Sequence, residues 1–190
     1  MPIKIAKTAG FCYGVRRAVN EVYDRAGKNE KIATLGALIH NDSVVEDLKK
    51  KGVAVYESVE EVPDGTTLVI RTHGVGKNIY DKIEQRGLEY VNLTCPFVEK
   101  IHNIVKEHYN KGYQIVIIGD KNHPEVRGIN GWCEESAVVL YADTDEIPQK
   151  LEKMPVCIVA QTTINKNIFV QKVQILKNTC QTPIIFDTIC

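Results

Sequence analysis

Three cysteines and three histidines carry most of the chemistry open to this chain of 190 residues. Cys12 lies in AGFCYGV, Cys95 in LTCPFV and Cys190 in DTIC, so 83 and 95 residues separate them. Those gaps are too wide for a ferredoxin or zinc-ribbon pattern, and only the fold can bring such cysteines to one metal. A [4Fe–4S] cluster normally takes four thiolates. Three would leave one iron open as a Lewis acid for a substrate oxygen, which suits catalysis better than electron relay. Gly10 and Gly14 flank the first cysteine and let its backbone turn closely beside a bulky group.

His40, His73 and His123 each follow an apolar run, in LIHN, RTHGVG and NHPEV. Imidazole N–H groups donate to phosphate oxygens and gain positive charge near neutral pH, so three of them in one cleft suit an anionic diphosphate. Glu125 becomes a proton donor if desolvation raises its pKa, and the hydroxyls of Thr162 and Thr163 offer a relay. Each of these residues also has an ordinary reading, as a helix cap or a surface group.

The remaining cysteines and histidines point inward or carry no assignable role. Cys157 is inside the apolar run VCIVA, and Cys180 extends the stripe Phe169, Val173, Leu176, so both are expected in the core. Cys133, beside Trp132 in an expected loop, has no role that sequence reveals. His102 and His108 fall within a helix near 96–111 and are expected to be structural.

These residues need strands to hold them. Val- and Ile-rich runs bounded by polar or Gly-rich segments predict buried parallel strands at 31–35, 53–56, 67–71 and 88–92, then at 113–118, 137–141, 155–160 and 183–187. Helical periods lie between them, among them Val15, Ala18, Val19, Val22, Ala26 and Phe97, Ile101, Ile104, Val105, which predicts α/β layering.

The two sets of four correspond. His40 and His123 are 83 residues apart, Thr72 and Thr162 are 90 apart, and Cys95 and Cys190 are 95 apart, as expected of a duplicated unit with slightly longer loops in its second copy. Loose repeats also occur in unrelated α/β proteins. Loops at strand carboxyl ends are where such sheets bind ligands. Cys12 follows a further run, 3–8, that has no preceding partners and resembles the last strand of a third unit. The expected organisation is 1–12 belonging to an absent third unit, 13–95 a first α/β unit and 96–190 a second, in a chain expected to be truncated after Cys190.

Bulk composition narrows the partners. Lys plus Arg equals Asp plus Glu at 24 each, so no positive excess recommends nucleic acid or an acidic membrane surface. The N-terminus has no signal-peptide pattern and no run reaches the roughly 18 apolar residues of a membrane span, so the expected location is cytoplasmic, where free thiols persist.

Taken in order, AGFCYGVRRA, His40-Asn41, His73-Gly74-Val75, Thr94-Cys95-Pro96, His123-Pro124-Glu125-Val126, Gln161-Thr162-Thr163 and Asp187-Thr188-Ile189-Cys190 resemble the 4-hydroxy-3-methylbut-2-enyl diphosphate reductase family along the whole chain. The resemblance implies three α/β units in a pseudo-threefold trefoil, of which two are present. It implies a [4Fe–4S] cluster on Cys12, Cys95 and Cys190, diphosphate binding by His40, His73 and His123, proton delivery by Glu125 and substrate contact by Thr162, with His123 assisting. The implied reaction removes the substrate hydroxyl as water to give isopentenyl and dimethylallyl diphosphate, the last step of the methylerythritol phosphate route, with ferredoxin or flavodoxin as donor. In this family the third unit supplies further diphosphate ligands, so 190 residues alone are expected to be inactive. A cluster-free module that binds a phosphorylated metabolite is the alternative, and a mixed Cys/His zinc site a weaker one.

Overall fold

In the computed structural model the described residues are Lys4, 9–28, 30–141 and 145–190. The expected strand at 3–8 therefore lies, apart from Lys4, outside the described residues.

Among the described residues eight strands and six α-helices are formed. The order is α1 (Tyr13–Gly27), β1 (Ile32–Leu35), α2 (Asp42–Lys50), β2 (Ala54–Tyr56), β3 (Thr67–Ile70), α3 (Lys77–Gln85), β4 (Tyr90–Asn92), α4 (Pro96–Asn110), β5 (Gln114–Ile118), α5 (Pro124–Asn130), β6 (Val138–Leu140), β7 (Val156–Ala160), α6 (Lys166–Thr179) and β8 (Ile184–Ile185). Each of the eight strands expected between residues 31 and 187 is present within a residue or two of its expected limits.

The strands form two four-stranded sheets with one topology, β2-β1-β3-β4 and β6-β5-β7-β8, all pairs parallel. The duplication seen in the spacing is thus a duplication of sheet order. Parallel strands need helical crossovers that cover both faces, and β1 and β7 are accordingly buried at every residue. Two compact units result, one comprising the described residues up to Thr72 with Leu88–Cys95, the other His73–Gly87 with Pro96–Cys190. Helix α3 groups with the second unit although the strands on either side of it belong to the first sheet.

Helix starts follow local chemistry. Asn41 caps α2 by accepting from the Val44 N–H at 3.1 Å, and Asn165 caps α6 by accepting from Asn167 at 2.8 Å. Pro124 opens α5, where its missing N–H costs nothing. Ala18, Val19 and Val22 carry α1 onto a core with Leu38, Leu48 and Val69. In α4 the buried face is Val98, Ile101 and Val105. Phe97, expected to face inward, is instead 57% exposed, because the helix begins at Pro96 and its first turn places the next residue, Val98, over the core. Cys157 is buried in β7, and Cys180 is buried just past the end of α6 beside Leu176. Among the described residues no helix is long and apolar enough to cross a membrane.

Candidate functional site

The cysteines divide by environment. Cys133, Cys157 and Cys180 are buried, and burial pushes the first thiol up to about 11, the second up to about 12 and the third upward as well. Such thiols resist becoming the thiolates that bind metal. Cys133 donates to the Asn130 carbonyl at 3.2 Å and packs with Ile129 and Cys157, which gives it a structural place that sequence did not reveal. Cys12 and Cys190 are exposed and Cys95 is half-buried.

Cys95 and Cys190 occupy the same position in the two units. The Cys95 N–H donates to the Thr72 carbonyl at 3.0 Å, and the Cys190 N–H donates to the Thr162 carbonyl at 2.9 Å. Each cysteine is thereby tied, just past the fourth strand, to the threonine that follows the third. Cys12 is the residue that starts α1, with extended backbone and no side-chain cap. Two residues later Gly14 lies against Cys95, where a Cβ would come within 2.6 Å of Sγ. Only glycine admits the Cys95 thiol against the first turn of α1.

These features fit an iron–sulfur cluster. The accessible thiols are those expected to bind it, a glycine makes room at one of them, and among the described residues two buried polar atoms, Arg17 Nε and the Oγ1 of Thr94 next to Cys95, have no hydrogen-bond partner. Arg16 and Arg17 were missed in the sequence. Each donates to the carbonyl of the residue that precedes a cysteine, Phe11 and Thr94 respectively.

In the second unit, order β6-β5-β7-β8 places the topological switch between β5 and β7, and the loops leaving these strands open the crevice where such sheets bind ligands. The β5 loop leads to His123 and Glu125, and the β7 loop carries Thr162. Glu125 is 2% exposed. Its Oε1 accepts from the Thr162 N–H at 2.6 Å and its Oε2 from Thr162 Oγ1 at 2.7 Å. Burial raises the Glu125 pKa, and the two bonds from Thr162 oppose that rise without cancelling it. In the first unit the equivalent Thr72 hydroxyl donates to the Leu38 carbonyl at 3.1 Å, so the duplicated threonine bridges the same two loops. Thr163 is exposed and receives a bond from Gln161 Nε2 at 2.9 Å, whereas Thr162 is the threonine that bonds the Glu125 carboxyl group.

His123 starts α5, and its Nδ1 accepts from the Glu125 N–H at 3.2 Å. The ring proton of the neutral form therefore sits on Nε2, which is left as the donor. His73 meets His123 edge to face at 5.5 Å between ring centres. The loop that carries His73 is seated by residues the sequence reading did not single out. The Trp132 indole N–H donates to the Val75 carbonyl at 3.0 Å, and Gly76 and Gly131 touch backbone to backbone, where a Cβ on either would come within 2.8 Å of the other's Cα. His102 stacks on Trp132 at 5.5 Å and is buried, with its pKa lowered to about 4 by desolvation. His108 Nδ1 lies 2.8 Å from the Ile104 carbonyl, so both helical histidines are structural as expected. His40 is exposed in the first unit, in the loop between β1 and the Asn41 cap of α2.

A family model described as LytB protein matches residues 3–190. Two curated relatives carry the name 4-hydroxy-3-methylbut-2-enyl diphosphate reductase. That from Thermoanaerobacter sp. (strain X514) is 47% identical over 196 residues, covering 100% of this chain and 67% of the relative. That from Clostridioides difficile (strain 630) is 44% identical over 194 residues, covering 100% and 69%. A solved structure of (E)-4-hydroxy-3-methyl-but-2-enyl diphosphate reductase, described as the terminal enzyme of the non-mevalonate pathway, superposes with a TM-score of 0.83 at 36% identity, over 99% of this chain and 68% of that one. The corresponding reductase from Plasmodium falciparum gives 0.83 at 28% identity, over 97% and 59%. The chain thus spans about two thirds of the length of the curated relatives named here.

Proposed function

Because the chain belongs to the LytB family of reductases, we propose that it holds a [4Fe–4S] cluster through Cys12, Cys95 and Cys190 and serves the reductive removal of the hydroxyl from (E)-4-hydroxy-3-methylbut-2-enyl diphosphate. The observation that carries this reading is the pair of equivalent bonds, Cys95 to Thr72 and Cys190 to Thr162, which puts a solvent-accessible thiol at one position of a duplicated sheet. When bound, such a cluster supplies electrons one at a time and an iron with Lewis acidity toward an alcohol oxygen.

The chain's own residues handle charge and protons. Replacing a hydroxyl by hydrogen with release of water consumes two electrons and two protons, one proton for the departing oxygen and one for carbon. Glu125, buried and raised in pKa, keeps its proton to a higher pH than an exposed carboxyl. With Oε2 protonated the bond reverses, Oε2–H donating to Thr162 Oγ1, and this proton passes to Oγ1 as the Thr162 hydroxyl proton moves to the departing oxygen, so the short Glu125–Thr162 contact is the relay. The Thr162 backbone N–H holds the other carboxylate oxygen and fixes its orientation.

His40, His73 and His123 are assigned to the diphosphate. For His123 the bond from the Glu125 N–H to Nδ1 places the proton of the neutral ring on Nε2, a donor of the kind a phosphate oxygen accepts. The products are isopentenyl and dimethylallyl diphosphate, and ferredoxin or flavodoxin supplies the electrons, as the resemblance implies.

Anaerobic reconstitution tests the reading. A version extended to the relatives' full length is expected to take up about four irons per chain and to convert the hydroxylated diphosphate, with residues 1–190 alone as the comparison. An extended protein that binds diphosphate equally well after loss of all three cysteines, and turns nothing over, is the cluster-free binding module instead.

A further inference from the structure

We propose that Arg16 and Arg17 are positioning residues that hold the Cys12 and Cys95 turns in shape for an anionic cluster and raise its reduction potential; this rests on the cluster reading above. Successive residues on a helix point about 100° apart, so adjacent arginines can serve two different turns. Arg16 Nη2 donates to the Phe11 carbonyl at 3.1 Å, immediately before Cys12, and Arg17 Nη2 donates to the Thr94 carbonyl at 2.7 Å, immediately before Cys95. The two cysteine turns are held by one pair of guanidinium groups on one helix.

Charge points the same way. Among the described residues neither guanidinium pairs with a carboxylate. The first turn of α1 has no acidic residue, so the positive end of the helix dipole at Cys12 is also uncompensated. Among the described residues the buried Nε of Arg17 has no partner, and neither has the buried hydroxyl of Thr94, whose carbonyl Arg17 holds. A helix start with two unpaired cations and unspent hydrogen-bonding capacity favours a bound group that is anionic and becomes more so on reduction. Arg17, partly buried, is the stronger of the two, because Arg16 is exposed and screened.

Two measurements test this, one in the metal-free chain and one in the reconstituted chain. In the metal-free chain the alkylation rates of Cys12 and Cys95 are compared for anionic iodoacetate and neutral iodoacetamide, with mass spectrometry to separate the sites. The rate ratio at Cys95 is expected to fall about threefold in Arg17→Met and to return in Arg17→Lys, and Arg16→Met is expected to act at Cys12. After anaerobic reconstitution, redox titration of Arg17→Met is expected to give a lower midpoint potential for the iron that it retains. Arg17→Lys is expected to retain the potential but to show a broadened electron paramagnetic resonance signal, because an ammonium cannot reproduce the planar fork. Iron uptake with the same potential in Arg17→Met as in the unsubstituted chain overturns this inference and leaves the cluster reading standing. An unsubstituted chain that takes up no iron at any length overturns the cluster reading and the inference together.

Discussion

Thr162 grips both oxygens of Glu125, through its backbone N–H at 2.6 Å and its hydroxyl at 2.7 Å, and the carboxyl group is buried at the switch point of the second sheet. A carboxyl held at both oxygens cannot rotate away from its partner, and burial keeps bulk water from replacing that partner. Glu125→Gln preserves the shape and removes the transferable proton. Turnover in the reconstituted reductase is expected to fall about 100-fold or more while iron content stays constant. Thr162→Val, which keeps the backbone bond and loses the hydroxyl, is expected to cost about tenfold or more, and Thr162→Ser to restore most of it. Turnover unchanged in both Glu125→Gln and Thr162→Val would remove the relay.

The pKa of Glu125 also has a signature in stability. Its folded value lies above the unfolded one, so its contribution is complete below the unfolded pKa and is lost as pH rises through the folded pKa. The melting temperature of the parent chain relative to Glu125→Gln is therefore expected to decline from about pH 4 upward, as the buried carboxyl is forced to ionise. Thermal melts of both chains across that range provide the check, and a constant difference contradicts it.

His102 behaves in the opposite sense. Burial lowers its pKa from 6.5 to about 4, and among the described residues its Nε2 has no hydrogen-bond partner. The neutral ring is favoured in the fold, so stability is present above 6.5 and falls with decreasing pH until about 4. The full change is on the order of 3 kcal/mol. His102→Phe keeps a flat ring against Trp132 and has no proton to gain. The difference in unfolding free energy between parent and variant is expected to carry this pH dependence, measured by urea denaturation.

Gly14 leaves the space that Cys95 Sγ occupies, since a Cβ would come within 2.6 Å of it. Gly14→Ala adds a residue that favours helix, so the fold is expected to survive, with unchanged far-ultraviolet circular dichroism. The thiol is displaced, and iron uptake is expected to fall by about half or more. Full uptake in this variant would show that the close approach is incidental to metal binding.

The strands, and the equivalence of the two sets, were legible because buried parallel strands must be continuous in Val and Ile, as VCIVA at 156–160 is, and because duplicated loops keep their spacing. Cys157 and Cys180 were legible as core for the same reason, since hydrophobic pattern alone places them. Phe97 misled, because its spacing suits the stripe of α4 and only the start of the helix at Pro96 decides which residue of the first turn faces inward.

Sequence by itself determined the α/β class and the duplicated four-strand unit, because residue type and short-range period are properties of the chain. Tertiary structure alone decided which partner each residue meets. The bond from Thr162 to Glu125 spans 37 residues, that from Trp132 to Val75 spans 57, and that from Arg17 to Thr94 spans 77. No local pattern encodes these bonds. The first exists because parallel crossovers carry distant loops to the same end of one sheet, and glycines at 14, 76 and 131 let backbones and thiols approach where any side chain would keep them apart.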